Sequence, residues 1–201
     1  MQGYFQSDRY FDHADQVRRW FTFKEHITKV KERFSHIDFN ESVSMSLRMD
    51  DSYHERRDKY PLHPLSYYRE ALKRVRHKKH ILIFSDRPER AQDYFSGLKE
   101  EQLTFMERGD PFEDLYLISC CHDNIITNST YAWWGAWLNR AEDKIVVAPQ
   151  EWFRPGLNHR ATDIISDGWI SLKSLHPVFD YHPIWFFFFR LRRKFKKITE
   201  K

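Results

Sequence analysis

Three polar groups in this chain each stand directly after an apolar run, where an α/β sheet places the ligands it binds. Asn128, Ser129 and Thr130 separate a β-branched stretch, Asn124 to Thr127, from Tyr131 to Leu138, which is apolar on nearly every side. Strand, polar turn and buried helix aim unpaired backbone N–H groups at a ligand, and the helix dipole favours an anion such as phosphate there. Ser129 or Thr130 can equally be a plain N-cap. Arg48 ends a second strand pattern and is followed by Asp50 and Asp51. Its planar fork suits a diphosphate, and pairing with Asp50 or Asp51 on a solvated loop is the competing role. Asp86 follows a third apolar run, Ile81 to Phe84, and its carboxylate can accept hydrogen bonds from a ligand or cap the helix after it.

The elements that must position these groups follow from periodicity. Val43, Met45 and Leu47 alternate with Ser42, Ser44 and Ser46, which predicts a strand over 41–47. Ile81 to Phe84 and Lys144 to Ala148 have no alternation, as strands buried on both faces do, and Leu103 to Phe105 is a weaker strand. Helices are predicted over 16–20 and 24–34, with a stripe of Val17, Trp20, Phe21, Ile27, Val30 and Phe34. Another starts at Pro64 and buries Leu65, Tyr68, Leu72 and Val75 before the basic run 74–79. Pro88 to Phe95 and Asp110 to Cys120 complete the set, the last with Asp110 as cap, Pro111 in its first turn, and Phe112, Leu115, Leu117 and Ile118 toward the core. Residues 52–63 and 149–162 read as loops. Strand and helix thus alternate from 41 to 148, which implies a Rossmann-like parallel sheet with helices on both faces.

Composition narrows the class. The 201 residues are 41% hydrophobic and 17% aromatic, with a net charge of +4. That is a packed globular chain suited to an anionic partner, but its positive charge is scattered or terminal and no nucleic-acid motif is present. Cys120 and Cys121 are adjacent and do not pair with each other, which points to a reducing, cytoplasmic setting. Neither belongs to a pair of ligands at zinc spacing. The sequon Asn128-Ser129-Thr130 is expected to be a chance match, since the first residues given do not read as a signal peptide.

TNSTYAWWGAWL, residues 127–138, resembles the SNSxFSWWxAxL motif of the α-1,2-fucosyltransferase family (glycosyltransferase family 11). GYFQSDRYF near the start resembles GYxQSxxYF of the same family, His63 to Tyr68 resembles MPxxYY, Phe84 to Asp86 resembles FSDD, and Trp152 matches the Trp of APxxWF. On the motif HxRRxD, Arg48 and Asp51 match, while Ser46 and Met49 stand where the family has His and a second Arg. The resemblance implies the donor-binding half of a GT-B-type glycosyltransferase, with the family's GGLGNQ-type first portion not represented in these residues. It implies inverting, metal-independent transfer of L-fucose from GDP-β-L-fucose to the 2-hydroxyl of a galactose-type acceptor. Arg48 would hold the phosphates with the amides around Asn128, Ser129 and Thr130, Ser46 would stand beside the base, Asp86 would hold the guanine, and Asp51 would orient Arg48. Asp51 and His63 are the candidates for a general base. The alternative reading is a non-catalytic nucleotide-sugar-binding remnant, or one subunit of a split enzyme.

The expected organisation is a helical lead-in over 1–40, the nucleotide-sugar-binding domain over 41–175 and a tail over 176–201. In that tail, Ile184 to Phe189 is entirely apolar and the next eight residues are mostly basic. Two readings fit residues 184–197: peripheral contact with the inner face of a membrane, through aromatics at the headgroups and cations on anionic lipid, or docking of the Phe side chains on the core or on a domain not represented in these residues. The stretch is too short to span a bilayer.

Overall fold

The computed structural model describes residues 5–21, 24–98, 102–154, 161 and 163–174. The expectations for the tail from 176 onward lie outside the described residues. Six strands, β1 (Ser42–Leu47), β2 (His80–Ser85), β3 (Leu103–Phe105), β4 (Asp123–Ile125), β5 (Val146–Pro149) and β6 (Ile170–Leu172), form one sheet in the order β3-β2-β1-β4-β5-β6. Every pairing is parallel. This is the doubly wound order whose direction of winding reverses between β1 and β4, and ligands of such sheets bind outside the carboxyl ends of the strands at that reversal.

Helices cover both faces, as the alternation of elements requires. On one face, α4 (Leu65–Leu72) and α5 (Pro88–Phe95) bury Tyr67, Tyr68, Ala71, Leu72, Ala91 and Phe95 against Val43, Met45, Leu47, Ile81 and Ile83. On the other, α2 (Lys24–Arg33) and α6 (Pro111–Cys120) pack Val30, Leu117 and Ile118 on Leu82 and Phe84. On that same side α7 (Thr130–Leu138) lays Trp133, Ala136 and Trp137 on Val146 and Ala148, with Val17 of α1 (Ala14–Trp20) against its outer side. The alternate residues of β2 and β5 thus divide between two apolar layers, as side chains on a pleated strand must.

Several local expectations change. Both faces of β1 are buried, so its serines do not face water: Ser42, Ser44 and Ser46 are 0%, 1% and 7% exposed. β1 lies at the middle of the sheet, and its hydroxyls find partners there. Ser42 Oγ donates to the Phe39 carbonyl at 2.8 Å, and Ser44 Oγ accepts from Asn124 Nδ2 at 2.7 Å. The loop expected over 52–63 begins with a short helix, α3 (Asp51–Glu55). Pro64 caps α4 rather than opening it. Phe112 is 61% exposed although α6 starts as expected, because Asp110 accepts from the Phe112 and Glu113 amides and turns the first residues outward. Trp20, at 69% exposed, leaves the predicted stripe. β6 was not expected at all; it adds to β5 in parallel and follows a connection in which no helix is seen among the described residues.

Among the described residues, no helix is long and apolar enough to cross a membrane.

Candidate functional site

The carboxyl ends of β1, β2 and β4 bring most of the predicted residues to one crevice. β1 and β2 pair in register, Leu47 opposite Ser85, so Arg48 and Asp86 leave neighbouring strands at the same level. Arg48 Nε lies 3.3 Å from Asp86 Oδ2, and its Nη2 lies 2.6 Å from Asp50 Oδ2. The other oxygen of Asp86 accepts from the Met49 amide at 2.7 Å. Asp86 therefore holds both the side chain of Arg48 and the backbone just after it. It does not cap α5: the N-cap is Arg87, without a side-chain cap bond. Burial pushes the Asp86 carboxyl above its ordinary range and the nearby Asp50 pushes the same way, against the Met49 amide and the Arg48 guanidinium. With 42% of its side chain exposed, Arg48 is open to the crevice, whereas Asp50 and Asp86 lie behind it at 21% and 22%.

Asp50 and Asp86 both orient Arg48, the role that the resemblance implies for Asp51. Asp51 accepts from Arg90 Nη1 at 2.9 Å, and the same Arg90 nitrogen donates to the Met49 carbonyl at 2.8 Å. Arg90 thus ties α5 to the turn that carries Arg48. No local pattern marks it; it lies on the outward side of a helix predicted for other reasons. Ser46 sits deeper, on the strand itself, 7% exposed, with its hydroxyl 3.4 Å from the Ile125 carbonyl. Its own carbonyl accepts from Tyr68 Oη at 3.2 Å, and Tyr67 Oη donates to the Ile126 carbonyl at 2.6 Å. Two adjacent tyrosines of α4 thereby pin the ends of β1 and β4 from below.

On the β4 side, pairing of Met45 with Ile125 puts the turn 127–130 at the same carboxyl edge of the sheet as Arg48. Ser129 is the N-cap of α7, and its hydroxyl accepts from the Ala132 amide at 3.5 Å. The amides of Thr130 and Tyr131 are the other early donors of α7 and have no acceptor among the described residues. Ser129 therefore caps the helix, and two first-turn amides are left without an acceptor inside it. Asn128 is a brace rather than an open donor. Its Nδ2 donates to the Pro61 and Trp152 carbonyls at 3.2 and 3.0 Å, and its Oδ1 accepts from Thr127 Oγ1 at 2.9 Å. His63 is fully buried, its Nδ1 2.8 Å from Ser174 Oγ, and burial pushes its imidazole down to about 3. A neutral, enclosed imidazole of that basicity is no proton acceptor for a sugar hydroxyl.

A cavity of about 400 Å³ lies elsewhere, lined by Arg18, Arg19, Asn139, Arg140 and Lys144 among others. Asn139 is the C-cap of α7 and Lys144 precedes β5, so this cavity opens at the amino edge of the sheet, away from the crevice.

The family model of glycosyl transferase family 11 matches residues 1–173. The chain belongs to that family. It is 37% identical over 113 residues to the O-antigen biosynthesis glycosyltransferase WbnK of Escherichia coli, covering 54% of this chain and 36% of that one. It is 29% identical over 181 residues to an alpha-1,2-colitosyltransferase of Escherichia coli, covering 85% of this chain and 61% of that one. The chain thus spans less than two thirds of the length of these curated relatives. A solved structure of NodZ alpha-1,6-fucosyltransferase soaked with GDP-fucose superposes with a TM-score of 0.40 at 15% identity, over 57% of this chain and 41% of that one. The residues matched by the family model include the whole sheet and every side chain of the crevice described above.

Proposed function

We propose that this chain is the donor-binding part of an inverting α-1,2-glycosyltransferase of GT-B type that uses GDP-β-L-fucose, or a close deoxy relative of that sugar, and transfers the sugar to the 2-hydroxyl of a galactose-type acceptor. The observation that carries the reading is Arg48, held by Asp50 and Asp86 at the carboxyl end of β1, beside the uncapped amides of α7 across the point where the sheet reverses. Family membership and the colitosyltransferase relative support a donor of this class.

In this reading the diphosphate lies between Arg48 and the amides of Thr130 and Tyr131. As the bond from the sugar to the diphosphate breaks, the sugar becomes oxocarbenium-like and negative charge grows on the departing GDP. Donors already aimed at that oxygen stabilise it without reorganising, which is where most of the rate gain in such reactions arises. No metal takes part in this scheme; the guanidinium and the helix terminus supply the positive charge. Asp50 and Asp86 fix the fork of Arg48 so that little side-chain freedom is lost on binding. Asp51, 63% exposed on the same turn, is the carboxylate that takes the proton from the acceptor hydroxyl.

Calorimetric titration of the chain with GDP, UDP and ADP tests the reading. GDP is expected to bind selectively, and Arg48→Ala to weaken it by roughly tenfold to a hundredfold, the worth of hydrogen bonds to a charged group. Equal binding of all three nucleotides, or unchanged GDP affinity in the variant, would refute it. Product analysis with GDP-fucose and GDP-colitose, which differ at the 3-hydroxyl, then assigns the sugar.

A further inference from the structure

We propose that the amino edge of the sheet, opposite the crevice, carries a site for a divalent transition metal, made by His77, His122 and Asp143. One ligand atom from each of these residues lies within 4.8 Å of the others. His122 Nε2 is 3.0 Å from Asp143 Oδ1. Two ligands bound to one zinc ion at about 2.0–2.2 Å stand about 3.0–3.5 Å apart in tetrahedral or octahedral geometry, so this pair is already spaced as metal ligands are. Asp143 has 67% of its side chain exposed and can swing to close the remaining gap.

The imidazole of His122 is oriented as a ligand would be. Its Nδ1 lies 3.1 Å from Oδ1 of Asp123, a fully buried carboxylate. Asp123 is itself fixed by three backbone amides: Ile145 at 2.8 Å on Oδ1, and Arg76 and His77 at 2.9 and 3.2 Å on Oδ2. A carboxylate that accepts only from N–H groups keeps the proton on Nδ1 and turns the Nε2 lone pair outward, the arrangement that second-shell carboxylates impose on metal-binding histidines. The same Asp123 anchors the backbone of His77, whose ring lies 3.7 Å from that of His122 centroid to centroid. Glu41 Oε2, 3.8 Å from His77 Nδ1, supplies a second carboxylate beside the group.

Two imidazoles with carboxylate select zinc, cobalt or nickel over magnesium or calcium. His77, His122 and Asp143 precede β2, β4 and β5, and Glu41 precedes β1 between them, so the ion would fasten three strands of the sheet at their starting ends. Its role is structural, which separates it from the transfer chemistry at the other edge.

Titration of the metal-stripped full chain with Co²⁺ and Zn²⁺ tests the site. About one equivalent of Co²⁺ should bind with visible d–d bands, Zn²⁺ should displace it and raise Tm, and Mg²⁺ at the same concentration should do neither. Asp143→Asn, which alters an exposed side chain and leaves folding intact, and His77→Gln should each weaken Co²⁺ by at least tenfold while GDP binding is unchanged. Absence of stoichiometric Co²⁺ binding in the parent chain, equal affinity in both variants, or an equal effect of Mg²⁺ would overturn the assignment.

Discussion

Gly135 lies where α6 and α7 approach most closely, and adding a single methyl there tests how α7 is placed over the crevice. A Cβ built at Gly135 would sit 2.3 Å from Ile118 Cγ2 and 2.9 Å from Ile118 Cβ. Carbon atoms in contact prefer about 3.5–4.0 Å, so the overlap exceeds 1 Å by a rough count. Ile118 cannot rotate clear, because its Cβ is itself too close and a β-branched side chain in a helix has essentially one rotamer. The helices must part instead. Overpacking of this kind costs about 3 kcal/mol at the upper end of its range, and the alanine returns about 1 kcal/mol of helix propensity. Gly135→Ala should therefore lose about 2 kcal/mol in urea unfolding, a drop in Tm of about 4–8 °C for a chain of this size. Ile118→Ala alone should cost about 2–5 kcal/mol through the cavity it leaves. The double variant should cost about 1–2 kcal/mol less than the sum, since the new methyl enters that cavity. Unchanged or increased stability in Gly135→Ala, or strict additivity in the pair, would refute the packing argument.

Two further outcomes follow from the charged groups. Asp86→Asn keeps an acceptor for the Met49 amide but removes the charge that holds Arg48 Nε, so GDP, UDP and ADP affinities should all fall by roughly tenfold; a loss confined to GDP would mean that Asp86 reads the guanine edge rather than positions Arg48. His63, held neutral in the fold by burial with its imidazole near 3 against an ordinary 6.5, takes up its proton mainly on unfolding as the pH drops. Its contribution is intact above about pH 6.5 and is lost as pH falls toward 3, at about 1.4 kcal/mol per pH unit. Between pH 6.5 and 5 the parent chain should lose about 2 kcal/mol more stability than His63→Gln, measured by urea unfolding at both pH values; parallel losses in the two chains would show that His63 is hydrated.

The parallel sheet was legible because each central strand is a short apolar run bounded by polar residues, and a chain that alternates such runs with helical stripes has few ways to bury them. What local pattern misjudged was which polar residues face water. The serines of β1 alternate with Val43, Met45 and Leu47 as they would in a half-exposed strand, yet Ser42 and Ser44 are satisfied by Phe39 and Asn124 inside the fold. Periodicity records polarity; it cannot tell a hydroxyl paired with backbone from one paired with water. The same limit applies at the crevice. Asp86 precedes a proline-led helix, the position of a capping residue, and its true partners lie 37 and 38 residues away. Those contacts exist only because β1 and β2 are neighbours in register, a property of topology rather than of any window of sequence. Arg48, Asp86 and the turn at Ser129 were each marked by their place after a strand, because strand ends are where a parallel sheet exposes its donors and acceptors. Their assembly into one site needed the reversal between β1 and β4. The amino edge shows the converse. His77, His122 and Asp143 each precede a strand and none falls in a spaced ligand motif, so the cluster they form emerges only once the sheet sets their strands in place.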